Sequence, residues 1–274
     1  MQLEKGEARP LLFCYITEKG RTIMKENKYL LGLVSVSFRA NTPREIIEAT
    51  KNAGLSCIEW GSDVHAPCHN IDRLTEIAEL QKQYGIFCSS YGTYFRLGET
   101  PLSELPNYIA AAKILGTNVL RLWCGTKNGK NMTSEERSFL LEECRKSVAI
   151  AEKYDVTFCM ECHHDTIAEY LDDALEFMNA VNSPRFRMYW QPFQWQNIEE
   201  NMKYAEAIAP YTRNIHVFQW KGSEKFSLNE GIEEWRGYLS KFKNPRTLLL
   251  EFMPDGRIET LPTEMDALKH IIKG

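Results

Sequence analysis

The stretch "LGLVSVSFRANTPREIIEATKNAGLSCIEW", residues 31–60, holds one complete strand–helix–strand unit. Its first eight residues form an apolar, β-branched run with the character of a buried strand. The next part, "NTPREIIEATKNAGL", has helical spacing. Asn41 or Thr42 can cap it, Pro43 suits its first turn, and Gly54 suits its stop. A second short apolar run, "SCIEW", follows at once. The turn between the first strand and the helix lacks the glycine-rich phosphate loop that an open doubly wound sheet is expected to carry there.

The same unit recurs along the chain. Strand-like runs stand at "IFCSSY", "NVLRLW", "VTFCMEC", "FRMYWQ", "NIHVFQW" and "RTLLLEF", each followed by a segment of helical periodicity. With the two runs above, this makes eight β-then-α units. No shared repeat motif and no Gly/Ser linker divides them. The expectation is a single-domain α/β protein, a closed (β/α)8 barrel over residues 29–274. Residues 1–28 read as an N-terminal extension. Their short apolar patch "LLFCYI" sits among charges, too short and too charged for a secretory leader.

Composition narrows the function classes. The chain of 274 residues is 43% hydrophobic and 26% charged, with a formal net charge of −4. That balance argues against nucleic acid as a partner. No run of 18 apolar residues suggests a membrane span. The eight cysteines are scattered, which fits a reducing cytoplasm. Cys159 and Cys162 have C-x-x-C spacing, but they lie within a strand run, not at an activating helix N-terminus.

In such a barrel the functional rim lies at the C-terminal ends of the strands. Carboxylates inside the apolar runs "FCMEC" and "TLLLEF" are costly to bury without a partner. A cation shared by Glu161, Glu251, His216 and one amide oxygen supplies one explanation, with Mn²⁺, Mg²⁺, Co²⁺ or Zn²⁺ suiting such a set. Ion pairing with Arg121 supplies another for the carboxylates, and His216 taken alone reads equally as a structural histidine. His65 and His163 read as outer or substrate contacts. Trp60 and Trp123 read as flat walls for a sugar face, or as core.

The motifs "IEWGSDVHAP", "SYGTYFRLGE", "LRLWCG", "MECHHD", "MYWQP", "NIHVFQW" and "LLLEF", in this order over residues 31–254, resemble the xylose isomerase-like barrels of the sugar phosphate isomerase and epimerase family. The resemblance implies one divalent metal held by Glu161, His216, Glu251 and the position of Gln191, where such proteins keep an aspartate. Gln194 falls where they keep a histidine. It also implies that Glu161 and Glu251 act as the acid/base pair in enediolate proton transfer on a ketose, sugar phosphate or related polyol. His65, His163 and Arg121 would hold substrate oxygens. Relatives of this kind are often dimers or tetramers, so the resemblance allows a homo-oligomer. The same site would serve a dehydratase or lyase acting on a sugar acid or inosose. The two glutamines leave room for a barrel that binds a sugar without turnover. The related apurinic endonucleases need more histidine and aspartate ligands than this chain offers.

Overall fold

A computed structural model describes residues 13–18, 21–26, 29–243 and 246–273. The extension expected over residues 1–28 lies partly outside them. Within it, β1 (Phe13–Glu18) and β2 (Arg21–Glu26) pair antiparallel as a two-stranded sheet.

The unit 31–60 folds nearly as its sequence predicts. Strand β3 (Tyr29–Val34) leads to helix α1 (Pro43–Asn52) and then to β4 (Cys57–Gly61). Thr42 is the cap: its side chain accepts from Glu45 N while the Glu45 carboxylate accepts from Thr42 N, a reciprocal box that satisfies two orphan donors. The strand stops four residues earlier than its apolar run. Residues Ser35–Phe38 wind into a 3-10 turn, in which Ser35 Oγ accepts from Gly61 N and Ser37 Oγ accepts from Phe252 N. These hydroxyls anchor the rim of β3 to its neighbours.

The remaining units follow in order: α2 (Ile71–Tyr84), β5 (Phe87–Leu97), α3 (Leu105–Leu115), β6 (Val119–Cys124), α4 (Ser134–Tyr154), β7 (Thr157–Glu161), α5 (Leu171–Val181), β8 (Phe186–Trp190), α6 (Ile198–Ile208) and β9 (Thr212–Val217). A small hairpin comes next, β10 (Gln219–Lys221) with β11 (Glu224–Phe226), then α7 (Ile232–Ser240), β12 (Arg246–Leu250) and α8 (Leu261–Lys273). Eight parallel strands close in the order β12-β3-β4-β5-β6-β7-β8-β9. The predicted seventh strand "NIHVFQW" is therefore split, because Gln219–Lys221 leaves the barrel to pair with β11.

Two cores result. Val34, Cys57, Val119, Cys159, Tyr189 and Leu249 fill the barrel interior. The larger core lies between strands and helices. Trp190 belongs to it: its ring meets Trp235, Tyr238 and Phe242 at 6.0, 5.2 and 5.5 Å. Aromatic pairs in such geometry contribute roughly 0.5–1.5 kcal/mol each beyond their buried area.

Candidate active site at the C-terminal rim

Strand residues alternate between the barrel interior and the helical layer. On β4 this parity turns Glu59 inward and Trp60 outward. Trp60 is fully buried, and its Nε1 donates to Gln81 Oε1 on α2 at 2.9 Å. The expectation of Trp60 as a substrate wall is corrected accordingly: the ring packs behind the strand. His65 is also withdrawn. It is 2% exposed, with Nδ1 3.2 Å from Ser35 Oγ and Nε2 3.2 Å from the Asn41 carbonyl, so both ring nitrogens already have protein partners. Gln194 sits half-buried on the β8–α6 loop, where its carbonyl accepts from Gly222 N at 3.0 Å. No hydrogen bond among the described residues ties its side chain to the inward cluster.

That cluster gathers side chains from six strands or strand ends. Arg121 on β6 donates from Nε to Glu59 Oε1 at 3.0 Å and from Nη1 to Glu161 Oε2 at 2.5 Å. Trp123 Nε1 donates to the same Glu161 oxygen at 2.5 Å. His216 on β9 is fully buried in the centre. Its Nδ1 lies 3.0 Å from Gln191 Oε1, 3.2 Å from Glu161 Oε1 and 3.4 Å from Glu251 Oε2. On its other side, Nε2 faces Glu59 Oε1 at 3.4 Å, in a geometry short of a hydrogen bond. Above the cluster, Trp123 is flanked by the rings of Tyr94 at 5.2 Å and His163 at 5.0 Å, with the Arg96 guanidinium 4.3 Å over its face.

The charges are strongly coupled. Burial alone would raise Glu161, but Arg121 and His216 beside it hold it well below the usual carboxylate range. Burial pushes Glu251 up to about 7, with His216 opposing and Glu161 adding to the rise. Burial would lower His216, yet Glu251 and Glu59 raise it to about 10. Two carboxylates at one site are thus driven toward opposite protonation states, the pattern that separates an acid from a base. The surroundings also demand positive charge at His216.

Glu59 was the residue passed over in favour of its neighbour Trp60. The signal was present: "SCIEW" buries a carboxylate in an apolar strand just as "FCMEC" does. Glu59 is fully buried and, besides the Arg121 bond, accepts a hydrogen bond from Ser90 Oγ at 2.8 Å. Asn214 continues the network, donating from Nδ2 to Ser90 Oγ at 3.3 Å and to the Tyr189 hydroxyl at 2.5 Å.

A closed (β/α)8 barrel with carboxylates, an imidazole and a guanidinium converging at the C-terminal strand ends defines a class of barrel with a polar centre inside its mouth. The chain belongs to the xylose isomerase-like TIM barrel family, whose profile matches residues 47–270. No curated protein matches it. Among solved structures it is similar to the probable 3-DHS dehydratase AsbF of Bacillus anthracis, with TM-score 0.71 and 15% identity over 87% of this chain and 98% of that one. It is also similar to D-allulose 3-epimerase from Methylomonas sp., with TM-score 0.68 and 16% identity over 89% and 97% of the two chains. A xylose isomerase-like TIM barrel protein from Mycobacterium smegmatis, solved in complex with magnesium, has TM-score 0.65 and 10% identity over 89% and 97%. At these identities the likeness concerns the fold. No helix among the described residues is long and apolar enough to cross a membrane.

Proposed function

We propose that this chain is a sugar isomerase or epimerase that moves a proton at the carbon beside the carbonyl of a ketose, its phosphate or a related polyhydroxy ketone. The observation that carries the reading is the convergence of Glu161, Gln191 and Glu251 oxygens within 3.0–3.4 Å of His216 Nδ1.

Among the described residues, no group of three His, Cys, Asp or Glu forms a ready-made metal cage. The converging set is mixed, with an amide among its donors. It nevertheless fits a divalent cation. One N–H cannot serve three acceptors at once. Donors about 2.1 Å from a shared ion lie roughly 3.0 Å apart at right angles and roughly 3.4 Å apart in a tetrahedron, so these spacings match. Glu161 Oε1, Gln191 Oε1, His216 Nδ1 and Glu251 Oε2 would hold it. The chemistry a bound divalent ion supplies is polarisation of a substrate carbonyl.

The side chains divide the remaining work. Arg121 and Trp123 hold Glu161 by Oε2 and keep it ionised beside the cation site, where the carboxylate takes the proton from carbon. The electron pair of the broken C–H bond moves toward the carbonyl. Glu251, with its raised proton affinity, returns a proton to the opposite face or to the adjacent carbon. Trp123 and His163 form the wall beside the sugar.

The test is deuterium exchange. The Mn²⁺-loaded protein is incubated in D₂O with a panel of ketoses and their phosphates, and the carbon beside the carbonyl is followed by NMR. Protein-dependent incorporation is expected for at least one. Substrate binding without exchange would leave a binding barrel, and release of water would indicate a dehydratase.

Gln191 gives a separate prediction. Gln191→Glu keeps the shape and adds a carboxylate to the donor set, so Mn²⁺ binding should tighten by about tenfold. A titration of free Mn²⁺ by electron paramagnetic resonance measures this. Unchanged affinity would remove Gln191 from the ligand set.

A further inference from the structure

Glu59 reaches neither the rim nor the Gln191 and Glu251 oxygens. It stands behind His216, at 0% exposure, on the side of the ring away from the converging donors. Its contacts reach Ser90 on β5, Arg121 on β6 and His216 on β9. The backbone is shaped around it. A Cβ on Gly92 would lie 2.7 Å from Glu59 Oε1 and 2.9 Å from Arg121 Nη2, so a side chain there would have to displace the ion pair that crosses β5.

The geometry points to Glu59 as a positioning residue that acts through His216 and Arg121. Facing Nε2, its carboxylate holds the imidazole with a proton on that nitrogen and leaves the Nδ1 lone pair toward Glu161, Gln191 and Glu251. Gripping Arg121 by Nε, it aims Nη1 at Glu161 Oε2 and so turns Oε1 toward the same point. One buried carboxylate thereby orients two of the four donors, one directly and one through a guanidinium. This inference rests on the cation site proposed above, and extends it to a residue that touches neither the cation nor the substrate.

The full-length protein, stripped of metal, is titrated with Mn²⁺ as wild type, Glu59→Gln, Ser90→Ala and Trp60→Phe. Glu59→Gln is expected to weaken binding by about 10–100-fold, the usual loss when a partner behind a ligating histidine is removed. Ser90→Ala, which removes the brace on Glu59 Oε2 together with the Asn214 contact and leaves the carboxylate in place, should weaken it by a few-fold in the same direction. Trp60→Phe, on the outward face, should leave it unchanged. In Zn²⁺-loaded protein labelled with ¹⁵N-histidine, the resonance of the His216 Nε2 proton, which faces the Glu59 carboxylate, should shift in Glu59→Gln and stay in place in Trp60→Phe. A loss of packing alone would not produce that selective shift. If Glu59→Gln does not fold, Ser90→Ala carries the test. Wild-type uptake of Mn²⁺ with unchanged affinity in both Glu59→Gln and Ser90→Ala overturns the role of Glu59 while leaving the cation site standing. Absence of uptake by the wild type overturns both.

Discussion

Glu161→Gln is expected to lower turnover on whichever sugar shows exchange by about a thousandfold or more, the scale of losing a general base together with its charge. The amide keeps the volume of the side chain but cannot take a proton from carbon. It also ends the pairing of Arg121 Nη1 with a carboxylate at 2.5 Å. The fold should survive, because Arg121 keeps Glu59 at 3.0 Å as its counter-ion. Steady-state kinetics and a thermal melt on the same preparation check both statements. Full turnover in this variant would rule out Glu161 as the base. Collapse of the fold would instead make its main role structural.

The second large effect concerns stability. Arg121→Leu leaves Glu59 and Glu161 buried without their guanidinium, at side-chain exposures of 0% and 5%. Breaking a buried pair from one side typically costs about 3–5 kcal/mol, because the remaining charge is uncompensated. For a chain of this size that corresponds to a melting point lower by roughly 6–20 °C. The double variant Glu59→Leu with Arg121→Leu should recover part of the loss, since one stranded carboxylate is removed with its partner. A double-mutant cycle by thermal or urea unfolding reads the coupling. A single-variant cost below about 1 kcal/mol would show that water or a bound cation already compensates the carboxylates.

Much of this architecture was legible residue by residue. Asn41 or Thr42 with Pro43 marked the start of α1 through side-chain chemistry that operates locally, and the helix begins there with Thr42 as its cap. Glu161, Glu251 and His216 stood out because polar groups in apolar strands require a reason, and the structure brings all three together. Parity was the obscure part. Whether Glu59 or Trp60 faces inward depends on how β4 sits between its neighbours, since both faces of the strand are buried and Cys57, Ile58, Glu59 and Trp60 are all inaccessible. A strand covered on both faces has no polar side to mark which of two adjacent residues points inward. His65 was misread for a related reason: its partners, Ser35 and the Asn41 carbonyl, belong to another unit of the barrel. The β10–β11 hairpin was hidden inside an uninterrupted aromatic run, since "HVFQW" carries no turn residue at the point where the strand leaves the barrel.

A barrel of parallel strands is a hoop in which each strand is bonded only to its two neighbours. The buried charges add chords across that hoop. Glu59 ties β4 to β6 through Arg121, and His216 joins β9 to β4 and to the end of β7. A hoop without chords can open at any one seam. With them, parting β4 from β5 also strains contacts on the far side of the ring. The strands beneath the site therefore gain or lose order together, and the centre that would do the chemistry also makes the barrel a single cooperative unit.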